Sequence, residues 1–190
     1  MTFPCHLFVS WHLARLVTQD VVVRRWIGCA GLVADLDGVG VVADIITGQP
    51  RYYEAWHHLL GHNLFVGILL FGLAGVWCRS WRVAGWTWVG FHVHLTGDLL
   101  SGRGPDGSGW PVVYGWPVSG YEWQWAGQIR LDAWPNTAAF LALLAWAVVA
   151  IKRGGRSPLE LLSSRLDRQV LGAFRSVLAS RKTAPQPRQG

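Results

Sequence analysis

The sequence predicts an all-α membrane protein: a multi-span bundle of about five membrane-embedded helices in residues 1–152, then a basic amphipathic helix and a disordered tail in residues 153–190. Composition favours this fold class. Hydrophobic residues make up 51% of the 190 residues and charged residues only 15%, whereas soluble proteins usually carry about 25% charged residues. The 13 tryptophans agree, because indole rings are enriched where a membrane meets water.

The long apolar runs indicate where the membrane spans lie. Residues 133–151 and the charge-free run 55–78, whose apolar core is 64–78, approach the length of about 20 residues that crosses a bilayer. Residues 83–100 are a weaker third candidate, because their second half contains ionisable side chains such as Asp98.

The beginning of the chain allows one or two further helices. Phe3–Val17 has neither a charge before its apolar run nor a clear small-residue cleavage site, so we do not expect a cleaved signal peptide. Residues 26–34 are apolar and end at Asp35, which predicts a short helix leading to a carboxylate pair. The count is therefore three to five spans, and we favour five.

Residues 101–132 form a predicted extramembrane loop rich in tryptophan, glycine and proline. Clustered glycine and proline break helices, while the alternation of Tyr121, Trp123 and Trp125 predicts a short hairpin. A loop of about 30 residues is uncommon unless it is functional or disordered, and its aromatic content argues against disorder. We interpret it as a lid or a wall that contacts substrate, with an interfacial aromatic anchor as the alternative.

The segment after the last apolar run predicts a helix that starts with Ser157 at the N-cap, Pro158 at the first position and Glu160 at the third. This order is typical of a capping box. An apolar stripe follows at helical spacing through Leu162, Leu166, Val170, Phe174 and Val177. Much of the net charge of +6 lies here, so we expect attraction to an anionic leaflet. No motif supports a nucleic-acid partner.

The distribution of basic residues predicts the orientation in a bacterial inner membrane, because loops rich in lysine and arginine stay in the cytoplasm. The outer loops are expected to carry Arg51, Arg103 and Arg130, and the cytoplasmic ends to carry Arg79, Arg82, Lys152, Arg153 and Arg156. With a helical rise of about 1.5 Å per residue, His62 lies about 25 Å from Arg79, and Asp98 lies about 24 Å from Arg82. By the same rule, Asp37 lies about 18 Å from Arg25 and His94 about 18 Å from Arg82. Three distant segments thus bring polar side chains to one layer near the outer face.

The polar side chains of this layer predict a metal site. Ionisable groups are costly inside a membrane and are usually kept there for function. His94 and Asp98 share one helix face because they are four residues apart. The three cysteines are scattered without a C-x-x-C pattern, so the metal would be held by nitrogen and oxygen. A single histidine taken alone is as well explained by an interhelical hydrogen bond, and the pair Asp35 and Asp37 by a solvated turn.

The order of these motifs resembles the YdjM-like membrane-bound metal-dependent hydrolases of bacteria, which are distantly similar to zinc-dependent phospholipase C. The matching pieces cover roughly residues 5–120 and are Cys5-His6, Val33-Ala34-Asp35-Leu36-Asp37, the run 57–63 (HHLLGHN), His94-Leu95-Thr96-Gly97-Asp98 and Gly115-Trp116-Pro117. The chain departs from the family pattern at Ala34, His58, Gly61 and Asn63. The family spacing selects His57 as a ligand, whereas helical geometry with His62 favours His58, and both alternatives stay open.

The resemblance implies a helical bundle in which zinc, as one or more ions, activates water for hydrolysis. The implied metal ligands are His6, Asp35, Asp37, His57, His62, His94 and Asp98. Asp37 is the candidate to accept the proton from water. A site at the lipid–water boundary suggests membrane lipid as a partner and a phosphoester, of a lipid or of a small molecule, as substrate. Arg103 or Arg130 would bind its phosphate. The expected substrate contacts in the loop are Trp110, Trp116 and Trp123.

Two other functions fit the same histidines. A b-type haem protein also uses histidines from facing helices, and a Soret band in the purified protein would favour it. A metal or proton transporter also places His and Asp in the membrane, and flux into liposomes without hydrolysis would favour that function.

Overall fold

The computed structural model describes residues 1–104 and 106–183, with side chains described through residue 176. The described chain is helical, which confirms the all-α prediction. The α-helices are α1 (Phe3–Val17), α2 (Val21–Val33), α3 (Gly40–Thr47), α4 (Tyr52–Trp56), α5 (Leu64–Trp77), α6 (Trp81–Ser101), α7 (Trp134–Gly154) and α8 (Ser164–Thr183). Two 3-10 helices lie at Ala34–Val39 and Pro158–Leu161.

Polar side chains at the N-caps determine where three of the helices begin. Asp20 accepts hydrogen bonds from the amides of the first turn of α2, Asn63 does the same for α5, and Ser80 for α6. Each cap satisfies backbone donors that have no partner within the helix.

Helix α2 lies at the centre, between α1 and α6, while α5 packs on α6 and α7 on α1. Small residues permit this close packing. A side chain at Gly31 would overlap the Ser10 hydroxyl of α1, and one at Gly90 would come within 2.6 Å of the Ile27 carbonyl oxygen of α2. The contact between α2 and α6 determines how deeply the polar face of α6 is buried.

Within the described residues, α7 alone is both long and apolar enough to cross a membrane, and it coincides with the predicted span 133–151. Helix α5 is apolar but has only 14 residues. The predicted span 55–78 is therefore too long: residues 57–63 are irregular, and the helix begins at Leu64. A bundle of five spans is not confirmed by this criterion.

The loop between α6 and α7 contains no strand among its described residues, so the predicted hairpin is wrong in detail. A single antiparallel bridge joins Val112 to Trp123, and a parallel bridge joins Arg103 to Arg130. Two backbone hydrogen bonds of 2.8 and 2.9 Å close the first bridge. The loop is thus tied together by isolated pairs.

The predicted capping box at residues 157–160 does not form. The Ser157 side chain makes no cap hydrogen bond, and Glu160 turns inward instead, where it is fully buried and accepts a 2.7 Å hydrogen bond from Arg24. An ion pair to α2 thus replaces the local cap. Helix α8 begins only at Ser164, and the expected disordered tail falls largely on residues 184–190, outside the described residues.

Candidate metal centre

His94 projects from α6 toward α2 and is almost fully buried. Its Nδ1 lies 2.8 Å from the carbonyl oxygen of Gly31. Because a carbonyl oxygen can only accept, Nδ1 carries the hydrogen and Nε2 is left with a free lone pair. The close packing of α2 against α6 therefore sets the tautomer of this histidine.

His62 lies in the irregular segment before α5 and is held by Asp37 of the 3-10 helix. Its Nδ1 is 2.9 Å from Asp37 Oδ2. The same carboxylate accepts a 2.9 Å hydrogen bond from His57 Nδ1 and a 3.0 Å bond from the Gly61 amide. As both Asp37 oxygens are engaged, this residue orients two imidazoles, and in the neutral form of His62 the Nε2 atom is also left with a free lone pair.

The two free nitrogen atoms face each other at the centre of the cluster. His62 Nε2 lies 3.1 Å from His94 Nε2, and Asp98 Oδ2 is 3.3 Å from the first and 3.0 Å from the second. Three acceptor atoms at such distances repel one another unless a proton or a metal cation lies between them. Ligands at about 2.0–2.1 Å around a tetrahedral ion are separated by about 3.3 Å, so these edges match one face of a coordination shell.

Asp98 and Asp35 supply carboxylate oxygens at the edge of this face. Asp98 Oδ1 accepts a 2.9 Å hydrogen bond from His6 and lies 2.5 Å from the N-terminal amine, whereas its Oδ2 has no hydrogen-bond partner. Asp35 Oδ1 lies 3.6 Å from His94 Nε2 and 4.0 Å from His62 Nε2, and Asp35 Oδ2 is buried without a partner. Buried carboxylate oxygens without donors are rare in proteins.

The sequence left open whether His57 or His58 binds the metal. The backbone of His58 has a φ of +66°, an uncommon conformation outside glycine, and its buried Nδ1 has no hydrogen-bond partner. Its ring lies within metal-sharing distance of His62 and Asp98. His57 instead gives its Nδ1 to Asp37 and lies in none of the candidate ligand groups among the described residues. Of the two histidines, His58 and not His57 therefore lies close enough to His62 and Asp98 to share an ion with them.

The described residues with ligand atoms close enough to share an ion are His6, Asp35, His58, His62, His94 and Asp98. His6 joins this set through Asp98 and by stacking on His94, with ring centroids 3.8 Å apart. Asp37, expected both as a ligand and as a proton acceptor, lies behind His62 instead. Sequence reasoning could not anticipate the Gly31 carbonyl as a partner of His94, because any backbone carbonyl can take that role.

The carboxylates around the histidines of the irregular segment 57–63 favour a positive charge on His62. Burial alone would lower the pKa of His62, but hydrogen bonds and charge from Asp37 and Asp98 raise it to about 9. Burial alone would raise the pKa of Asp37, but hydrogen bonds from His57 and His62 hold it well below its usual range. His58 behaves differently, because burial and the neighbouring His62 lower its pKa to about 3. A neutral imidazole thus lies beside a cluster that stabilises a cation.

A cavity of about 490 Å³ lies beside the cluster, between α4, the irregular segment and the loop. Its wall includes His57, His58 and Trp110, and the Trp110 ring packs edge-to-face on the two imidazoles, with ring centroids 5.3 and 5.4 Å apart. The cavity is also lined by Tyr53 and the carboxylates Glu54, Asp106 and Glu122. No described arginine or lysine lines it, so the side of the cluster that faces this space is acidic and aromatic.

The other predicted substrate contacts lie elsewhere. Arg103 donates a 2.6 Å hydrogen bond to the Ala126 carbonyl oxygen, and Arg130 pairs with Asp132 at 2.7 Å. Neither Trp116 nor Trp123 lines the cavity, although they belong to the same loop. Of the predicted loop contacts, Trp110 alone lies against the cluster.

No known protein family, curated protein or solved structure matches this chain.

Proposed function

We propose that this protein is an integral-membrane, metal-dependent hydrolase of phosphoesters that binds a divalent ion through His62, His94 and Asp98, with Asp35 beside the ion. One observation carries the proposal: the Nε2 atoms of His62 and His94 lie 3.1 Å apart although the Nδ1 atom of each ring already faces an acceptor. A cation between them relieves the repulsion of the two lone pairs. The unpartnered oxygens of Asp98 and Asp35 supply the compensating charge.

The donor set suits zinc, the ion implied by the resemblance to YdjM-like hydrolases. Two imidazole nitrogens and one carboxylate oxygen, without thiolate, are typical of catalytic zinc sites, in which water takes the fourth position. A bound divalent ion polarises a phosphoryl oxygen and lowers the pKa of water toward about 7. Asp37 and the Gly31 carbonyl would hold the two imidazoles in orientation, as partners behind metal ligands commonly do.

The proton acceptor is better assigned to Asp35 than to Asp37. Asp37 already accepts from His57, His62 and the Gly61 amide, so it has little capacity for another proton donor. Asp35 has a buried oxygen without a partner and is half-buried beside the cluster. This oxygen is free to accept a proton from water.

Exposed apolar surface supports a membrane location for more of the bundle than α7. Trp77 and Trp81, at the turn between α5 and α6, are 75% and 71% exposed, and Trp134 at the start of α7 is 78% exposed. Along its length, α5 also exposes the apolar side chains of Ile68, Leu69, Leu73 and Val76. Exposed apolar side chains along a helix, together with exposed tryptophans at helix ends, are costly in water and typical of a membrane-embedded bundle.

The charge of the cavity restricts the class of phosphoester that can bind. Because carboxylates line it and no described cation does, a phosphomonoester with two negative charges would be repelled. A phosphodiester carries one charge and suits the site better, whether it belongs to a lipid or to a soluble molecule. We expect a higher kcat/KM for bis(p-nitrophenyl) phosphate than for p-nitrophenyl phosphate.

The geometry does not favour haem. A haem iron needs imidazoles on opposite faces of a porphyrin, whereas His62 and His94 meet directly, with Asp98 against both nitrogens. There is no space for a macrocycle between these two rings.

Metal analysis of the purified protein tests the proposal. We expect the metal content to fall toward zero, together with phosphodiesterase activity, in each of His62→Ala, His94→Ala and Asp98→Ala. His12→Ala and His92→Ala are matched controls, because their imidazoles contact backbone or tyrosine oxygens outside the cluster. Unchanged metal content in the first three variants would contradict the proposed metal site.

Sidedness is tested separately with single cysteines in a background without Cys5, Cys29 and Cys78. A cysteine at Ser108, at the cavity, should react with an impermeant maleimide in intact spheroplasts, and one at Arg168 of α8 should not. The reverse pattern would invert the orientation and place the site at the cytoplasmic face.

A further inference from the structure

A second cavity, of about 460 Å³, lies at the far end of α7, between its last turn and α8. Its wall combines an apolar part and a basic part, formed by Ile151, Leu171, Phe174, Lys152, Arg153 and Arg175. It belongs to neither the candidate metal centre nor the cavity beside it.

The three basic side chains have no neutralising partner within the part of the chain that the structure describes. No carboxylate lines this cavity, and none of Lys152, Arg153 and Arg175 forms an ion pair or a side-chain hydrogen bond with the described residues. The neighbouring Arg156 differs, because it is paired with Asp167 at 3.2 Å. Three cations therefore meet at one cavity without a counter-charge.

The end of α7 accounts for part of this charge. Arg175 lies over the C-cap, since one of its terminal nitrogens would be 3.6 Å from a Cβ at Gly155. A helix C-terminus carries about half a negative charge, whereas the three side chains carry three positive charges. About two and a half positive charges remain available to an anion.

A free anion would contact only the basic part of the wall and would leave its apolar part uncovered. Leu171 is buried, while Ile151 and Phe174 are half-buried along the same cavity. A ligand that satisfies both parts has an anionic group and hydrocarbon. Since α7 is long and apolar enough to cross a membrane, its last turn would lie at the level of phospholipid headgroups.

We propose that this cavity binds the headgroup of an anionic phospholipid, with its phosphate among Lys152, Arg153 and Arg175 and its acyl chain along Ile151 and Phe174. Basic pockets beside membrane helices bind such headgroups in other proteins. The proposal rests on α7 crossing the membrane and does not depend on hydrolysis at the metal centre.

Native mass spectrometry of the full chain in detergent micelles tests the assignment. The probes are phosphatidylglycerol, phosphatidylcholine and inorganic phosphate. We expect phosphatidylglycerol to bind at least tenfold more tightly than phosphatidylcholine, and millimolar phosphate not to displace it. Displacement by phosphate at that concentration would overturn the lipid assignment in favour of a simple phosphate site.

Paired charge variants separate the cavity from the basic surface in general. Arg153→Gln with Arg175→Gln should weaken phosphatidylglycerol binding about thirtyfold. Each lost cation lowers the affinity about fivefold, and the two losses multiply. Arg165→Gln with Arg168→Gln removes the same charge from exposed positions of α8 outside the cavity and should change binding less than threefold. Equal losses in both pairs would contradict a discrete site.

The fold of each variant is checked by its Tm, measured by tryptophan fluorescence in detergent, which should equal that of the unmodified protein. If the first pair does not fold, Arg175→Gln alone should still weaken phosphatidylglycerol binding about fivefold. Unchanged binding in that variant would overturn the proposal.

Discussion

Two buried carboxylates at opposite ends of α2 are equally hidden from water but are paired in different ways. Glu160, near the start of α2, is fully buried and uses both oxygens: one accepts from Trp11 at 3.0 Å and the other from Arg24 at 2.7 Å. Asp98, near the end of α2, is 3% exposed, and its Oδ2 has no hydrogen-bond donor although two imidazole nitrogens lie close to it.

The difference separates a structural ion pair from a candidate ligand. Arg24 is a permanent cation with fixed donors, so Glu160 is neutralised by the fold itself. Asp98 pairs through Oδ1 with His6 and the N-terminal amine, but its Oδ2 faces the nitrogen atoms of His62 and His94, where a proton or a metal cation would complete it. Burial of a charged group is therefore informative only together with its partners.

The largest expected effect is on stability at the Glu160 end. Glu160→Ala leaves Arg24 buried without its partner, which typically costs about 3–5 kcal/mol. We expect a marked fall in Tm, measured by tryptophan fluorescence in detergent, with metal content unchanged. Replacing both residues by leucine should recover much of the loss. A loss of metal with an unchanged Tm would contradict the structural assignment.

The next effect is the stabilisation that metal gives at the Asp98 end. A ligand present at 100 times its Kd stabilises the folded state by about 2.7 kcal/mol. Zinc should therefore raise the Tm of the unmodified protein, and Asp98→Asn should abolish this increase. Glu160→Gln is the control, because it changes a buried carboxylate without touching the cluster. An equal zinc response in Asp98→Asn would exclude this carboxylate as a ligand.

A smaller effect is expected at Asp37, which orients His62 and His57. Loss of a partner behind a metal ligand typically weakens metal binding about 10- to 100-fold. Asp37→Asn should therefore keep a metal site of reduced affinity, measured by competition with a chelator. Asp132→Asn, which alters an exposed pair with Arg130, should leave the affinity unchanged. Complete loss of metal in Asp37→Asn would instead make Asp37 a direct ligand.

The smallest effect concerns substrate contact in the loop. Trp110→Ala should raise the KM for a phosphodiester several-fold without changing metal content, because Trp110 lines the cavity against His57 and His58. Trp123→Ala removes a side chain that is 53% exposed and lies outside the cavity, so KM should not change. Equal effects of the two variants would assign the loop to membrane anchoring.

The sequence anticipated the elements that depend on local pattern. Hydropathy over about 20 residues identified α7, and the apolar run Phe3–Val17 coincides with α1. Composition likewise separated the loop from the helices. These features depend on side chains close together in the chain, so a single segment contains the information.

The details of the site required the tertiary structure. The choice between His57 and His58 could not come from helical geometry, because residues 57–63 are not helical and His58 has a positive φ. The roles of Asp35 and Asp37 differ because the 3-10 helix turns one toward the imidazole nitrogens and the other behind His62. Two carboxylates so close in the sequence look alike until the fold separates them.

What the sequence by itself determined is therefore the helical class, the apolar span of α7 and the set of histidines and aspartates available for a site. The tertiary structure decided which atoms meet. His6 and Asp98 are 92 residues apart, and Trp11 and Glu160 are 149 apart. Packing of small residues between α1, α2 and α6 brings such groups together, and that packing depends on the whole bundle, because each contact exists only when its neighbours are already in place.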